Sequence, residues 1–275
     1  MKYLSIGLFL SAIFIVSVLE KKDKTSPFDI ELFQKAQLAQ QKVSSKLSTN
    51  KYQNGHVKAL TENYILEESL VNKRVNESTN LRAQRASYLL QWEDSLKNVI
   101  SLTALGMDWK HHFANSFLVG IRPFAVENKW LPLYTISKIK TYELDNVQHK
   151  VPEMWQNSAQ AYMLPRGDCE DHAIILADWL ISEGVDARVV GGKYKTSGHA
   201  WVVAIMNDQE FILEATSKRV GKSWNHYPLA SLAQHYSPTF MFNRTQFWVN
   251  ENTQITDKYR GIHWKQTSTF IKSKS

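Results

Sequence analysis

Residues 173–181 constrain this chain more than any other stretch. Pro165 and Gly167 interrupt the backbone just before them, Asp168 can cap a helix, Asp171 stands three residues on as in a capping box, and Gly184 closes the segment. The body of that helix (Ala173, Ile174, Ile175, Leu176, Ala177, Trp179, Leu180, Ile181) is apolar almost all round. Such a helix has no face to give to water, so it must be central and covered on every side. The rest of the chain can supply the cover: 43% of its 275 residues are hydrophobic and 12% aromatic, which excludes a wholly disordered protein. With only 11 glycines and 7 prolines, a turn-dense all-β sandwich is disfavoured.

Cys169, the only cysteine of the chain, falls in the first turn of this helix. A lone cysteine excludes an internal disulfide framework and any multi-cysteine zinc or iron-sulfur site. At the positive end of a helix dipole a thiol is favoured as thiolate, the form a nucleophile requires. Asp168, Glu170 and Asp171 push the other way, so a thiolate here needs a cationic partner.

The sequence downstream offers one. Residues 185–190 read as a strand, 191–198 as a glycine-bounded loop, 199–205 as a strand, and 210–214 as a returning strand after an Asn207-Asp208 turn. A hairpin centred on that turn sets Trp201 opposite Glu214 and His199 opposite Thr216, making His199 and Glu214 diagonal neighbours on one face. A slip of one residue would put them on opposite faces. In register, a carboxylate fixes an imidazole that activates a thiol. Singly, each residue has a plainer role: buried small hydrophobe, structural histidine, surface acid. Their joint occurrence favours chemistry. His172, one helical turn from Cys169, is a rival base that the helix carries away from a facing sheet.

These residues resemble the transglutaminase-like superfamily of cysteine enzymes. The resemblance rests on Gly167-Asp168-Cys169-Glu170-Asp171-His172-Ala173, on Gly198-His199-Ala200-Trp201, and on Phe211-Ile212-Leu213-Glu214-Ala215-Thr216, and covers residues 150–217, about a quarter of the chain. It implies an α+β, papain-like core with the cysteine helix packed on an antiparallel sheet, and a catalytic triad of Cys169, His199 and, where the family usually has aspartate, Glu214. The Arg-Gly-Asp-Cys-Glu-Asp wording is similar to bacterial transglutaminase-like cysteine proteinases, some of which bind calcium through acids flanking the cysteine; Asp168 and Glu170 are the matching positions. Two carboxylates are few for an ion that takes six to eight oxygens, and the same charges complement the helix dipole. No cofactor is required by the motif. Trp155 resembles a tryptophan common upstream of the cysteine, either packing or covering the site; the Pro-Glu that usually follows is replaced by Asn157 to Gln160.

Around this core the expectations are coarser. Leu4 to Leu19 is free of charge between Lys2 and the cluster Lys21, Lys22, Lys24, too short for an ordinary span and suited to a signal sequence, so residues 1–25 read as a signal anchor or signal peptide. That places the protein on the extracytoplasmic side of the membrane. Residues 26–98 read as a polar helical spacer, 99–250 as the catalytic domain, and 251–275 as a basic tail. The net charge of +7 is spread, and no run approaches a nucleic-acid-binding arm. The expected function is acyl transfer by a cysteine nucleophile, hydrolysing amide bonds of a protein or peptide substrate. The alternatives are transfer to an amine, or a non-catalytic binding or scaffold module of the cell envelope.

Overall fold

In the computed structural model, residues 27–46, 51–60, 64–77, 83–91, 98–216, 228–252 and 257–273 are described. The signal anchor expected over residues 1–25 lies outside them. No helix among the described residues is long and apolar enough to cross a membrane.

The expected central helix is α6 (Cys169–Ser182), which lies against strands β8 (Asp186–Tyr194) and β9 (Ser197–Met206) and against α5 (Ser158–Met163). Ile174, Ile175, Leu176, Trp179 and Leu180 are completely buried in the main core cluster. At roughly 1.5–3 kcal/mol for each large apolar side chain, this packing is a dominant contribution to the fold. The one acid in the helix body, Asp178, is also buried. Its Oδ2 accepts the Gly120 N–H at 2.8 Å, the Ile121 N–H at 2.9 Å and the Ser158 hydroxyl, while Oδ1 pairs with Arg244 Nε at 2.6 Å. With both oxygens hydrogen-bonded, the Asp178 carboxylate clamps α6 to three distant segments.

The sheet beneath has eight strands, all paired antiparallel, in the order β10-β9-β8-β11-β12-β13-β1-β2. Its members besides β8 and β9 are β10 (Gln209–Leu213), β11 (Tyr236–Phe242), β12 (Gln246–Asn250), β13 (Trp264–Lys272), β1 (Gly55–Ala59) and β2 (Ile65–Glu67). The 191–198 stretch expected as a loop is mostly strand, because β8 and β9 continue to a turn at Lys195 and Thr196.

Two expectations about the flanks are corrected. Among the described residues of the spacer expected over 26–98, α-helix is found in α1 (Pro27–Lys46) and α2 (Glu68–Asn76), while β1, β2 and β3 (Tyr88–Gln91) are strands. Even α1 is docked, burying Leu32, Ala36 and Ala39 at helical spacing, with its backbone bonded to Tyr162 through the Ala36 carbonyl. The polar pattern predicts helix here, but pairing of β1 with a partner over 200 residues away overrides that local propensity. That partner is the supposed tail: Trp264–Lys272 runs inside the sheet between β12 and β1. Bounds at residues 99 and 250 would therefore leave out β13, β1 and β2, one whole edge of the sheet.

Ending the chain at Glu251 removes an interior strand and strips β12 and β1 of one partner each. Such a truncation is expected to abolish cooperative thermal unfolding followed by circular dichroism; a melt within a few degrees of the full chain would mean that β13 is dispensable.

Candidate active site

The start of α6 is held by a short parallel pair, β6 (Thr141–Tyr142) with β7 (Arg166–Gly167). A side chain at Gly167 would overlap the Asp171 carboxyl group and the Lys140 stem, so the residue before Asp168 must be glycine for this turn to close. Asp171 accepts the Gln156 N–H at 2.7 Å and the Asp168 N–H, completing the reciprocal half of the expected capping box; Asp168 makes no side-chain cap bond. The missing Pro-Glu after Trp155 is explained by α5, whose N-terminus is a complete capping box between Asn157 and Gln160. Trp155 is buried on Phe117, donates Nε1–H to Glu153 at 2.8 Å and borders the cleft, so it both packs and lines.

Cys169 and His199 line one cleft of about 1180 Å³. Its walls come from β3, from residues 142–153 including the short helix α4 (Asp145–Gln148), and from the glycines of β8 and β9. The tip of the Phe240 ring lies against Gly191, where any side chain would displace it. Along β9 the pleat turns Ala200, Val202 and Ala204 to the α6 core and Trp201 and Val203 to the opposite cluster, and the His199 ring stacks at 6.2 Å on Trp201. The pleat therefore groups His199 with Trp201, away from the α6 core; it borders the cleft from the start of its strand without a hydrogen bond to Cys169, whose sulfur is held instead by the backbone N–H of the next residue, Ala200.

The register read from the sequence is the register found. Phe211 pairs with Ala204 and Leu213 with Val202, which puts Glu214 beside His199. Nε2 of His199 and Oε2 of Glu214 are 2.7 Å apart. Burial raises the Glu214 carboxyl, but the hydrogen bond and charge of His199, with the Thr216 donors, outweigh it and hold the group below the usual glutamate range. An ionised carboxylate only accepts, so Nε2 carries the proton that faces Glu214. His172 is not a rival: it is fully buried, bonds the Asp168 carbonyl through Nδ1 at 2.6 Å and lies away from the cleft lining.

Electrostatically the site is frustrated. The Cys169 thiol donates to Glu170 Oε2 at 3.3 Å and is pushed up to about 12, first by burial and then by the Asp168 charge. Glu170 and Asp171 are raised well above the carboxylate range by burial and by Asp168. Asp145 rises to about 9 by burial and by Asp168 and Asp171, and Glu153 is raised chiefly by burial. Asp145 and Glu153 join a cluster of which the sequence reading named only the part around the cysteine.

Calcium fits this cluster. Asp145, Glu153 and Glu170 each place a carboxylate oxygen within 4.8 Å of the others, and Asp145, Asp168 and Asp171 do the same. Asp145 Oδ1, Asp168 Oδ1, Glu170 Oε1 and Asp171 Oδ2 are buried without a hydrogen-bond partner. Buried, unpaired carboxylate oxygens are costly unless a cation takes them, and hard oxygen donors are the set calcium selects.

Residues 153–270 match the family described as the CEP76 peptidase-like domain. The centrosomal protein of 76 kDa from Danio rerio is 40% identical over 57 residues, a match spanning 20% of this chain and 9% of that protein. Among solved structures, Legionella pneumophila LapG is similar in three forms. The EGTA-treated form is 15% identical with a TM-score of 0.38, covering 67% of this chain and 86% of that one. A second LapG structure is 16% identical with a TM-score of 0.37, covering 66% and 84%. The calcium-bound form is 19% identical with a TM-score of 0.38, covering 50% and 76%.

The raised carboxylates set a pH dependence. Asp145 binds its proton more tightly folded than unfolded, so its contribution is intact below about pH 4 and drains as pH rises toward its folded value of about 9. In EGTA, Asp145→Asn is therefore expected to melt above the wild type at pH 8, with the gap shrinking at pH 5, and calcium should stabilise only the wild type strongly. Equal wild-type melts at pH 8 with and without calcium would contradict the cation site.

Proposed function

We propose that this protein is a cysteine-nucleophile acyl-transfer enzyme that hydrolyses amide bonds in a protein or peptide substrate, working outside the cytoplasmic membrane. The observation that carries the reading is the 2.7 Å dyad of His199 and Glu214 set one residue from the N–H that holds the Cys169 sulfur. The peptidase-like match over 153–270 contains all three residues and supports it. The location rests on the sequence of residues 1–25 alone.

In this mechanism Cys169 gives its proton to Nδ1 of His199 and attacks the substrate carbonyl carbon. Glu214 keeps the ring oriented and stabilises the imidazolium that forms. The backbone N–H of Cys169, at the first position of α6, is placed to donate to the developing oxyanion. His199 then protonates the leaving amine, and a water deprotonated by the same imidazole releases the acyl group. Asp145, Glu153, Asp168 and Glu170 would hold calcium, which when bound supplies positive charge that opposes the upward pull on the thiol.

One observation favours a second reading. A thiol pushed up to about 12 is inert, as a non-catalytic binding module of the same fold would have it. Iodoacetamide labelling separates the two. In calcium, Cys169 is expected to alkylate faster than a free thiol at pH 7, with an inflection well below about 8.5; EGTA should slow it, and His199→Ala should slow it roughly 100-fold. A peptide library read by mass spectrometry should be cut by the wild type and left intact by Cys169→Ala. Labelling in calcium no faster than a free thiol, with no cleavage, would establish the binding module instead; products carrying an added amine would establish transfer.

A further inference from the structure

Glutamate in the third position raises a physical problem: its extra methylene gives the carboxylate more rotamers than the expected aspartate, so something must fix it against His199. Two groups do so, one on each oxygen. Oε1 of Glu214 accepts the Thr216 hydroxyl at 2.5 Å and the Thr216 N–H at 3.1 Å, a local turn that pins one end of the group. Oε2, the oxygen that takes His199 Nε2, also accepts the hydroxyl of Tyr236 at 3.1 Å. Tyr236 comes from β11, 22 residues along the chain, and its ring is packed at 4.9 Å on both Trp201 and Tyr194. The hydroxyl is held in place by the same aromatic group on which the His199 ring stacks.

Resting on the catalytic reading above, the geometry points to Tyr236 as a positioning residue that fixes Oε2 of Glu214 and so lets glutamate do the work of the shorter acid. The role is separate from packing, because the ring fills its slot between Trp201 and Tyr194 whether or not it carries an oxygen. Burial and the Glu214 charge raise the Tyr236 phenol, so it stays a donor throughout the working range of pH.

The test is a double-mutant cycle of Tyr236→Phe and Glu214→Ala, read by the iodoacetamide rate at Cys169 in calcium, with thermal melts to verify that each variant folds. Phenylalanine keeps the packing. In the wild-type background Tyr236→Phe is expected to lower the rate roughly tenfold, the value of a hydrogen bond to a charged group. In the Glu214→Ala background it should change the rate less than about twofold, since the oxygen it serves is gone. The 13C titration of the Glu214 carboxyl should move to higher pH in Tyr236→Phe, a signature that packing alone would not produce. A fast wild type with equal losses in both backgrounds, or an unchanged Glu214 titration, overturns the role of Tyr236 alone. A wild type no faster than a free thiol overturns the catalytic reading, and this inference with it.

Discussion

Everything in this structure follows from the burial of α6. A helix with an apolar surface on nearly every side has to be enclosed, and the enclosing layers are the sheet below, α5 beside it and α1 across α5. Asp178 makes the enclosure specific. Its carboxylate gathers donors from Gly120, Ile121, Ser158 and Arg244, so the helix is fixed along its axis as well as buried. Apolar packing alone would tolerate sliding; a buried charge with directed donors does not. The first residue of α6 is therefore set at a defined height against β9, which brings Cys169 to the N–H of Ala200 and to the edge of the His199 strand.

The well-satisfied middle of the helix contrasts with its first turn. There the chain concentrates Asp168, Glu170 and Asp171, adds Asp145 and Glu153 from the wall of the cleft, and leaves four of their oxygens buried and unpaired. Nothing in folding alone repays this arrangement. Local conflict in an otherwise consistent structure marks a site built for something besides stability, and the chemistry of the donors is that of a hard cation. The same charges suppress the thiol, so a cation held there would relieve it. The buried Lys140, which donates to Gln156 and to three carbonyls, holds the turn and is a charge partner of Asp171.

Much of the site was legible in the sequence because it depends on local rules. The helix start at Cys169 follows from Gly167, Asp168 and Asp171, and the pairing of His199 with Glu214 follows from the pleat and one turn at Asn207-Asp208. The parts that were not legible depend on distant contacts. Tyr236 reads as one aromatic among many until β11 brings it to Glu214, and Asp145 and Glu153 join the acids of α6 only through the fold of residues 141–156. The flanks misled for the same reason: residues 55–59 and 264–272 carry little local sign that they are neighbouring strands, and only their pairing makes them so. His172 shows the reverse case, a residue with suggestive chemistry and spacing whose burial and bond to the Asp168 carbonyl give it a structural task.

The central claim is that Cys169 and His199 form one nucleophilic unit assembled at the start of β9. The most direct measurement is the separation of Cys169 Sγ and His199 Nδ1 in a crystal structure of the full chain grown with calcium. The account predicts hydrogen-bond reach, about 3–4 Å allowing for the larger radius of sulfur, with Nε2 still on Glu214. A sulfur and an imidazole facing opposite sides of the sheet, with the acidic cluster filled by the ion and the cleft ordered around them, would contradict it.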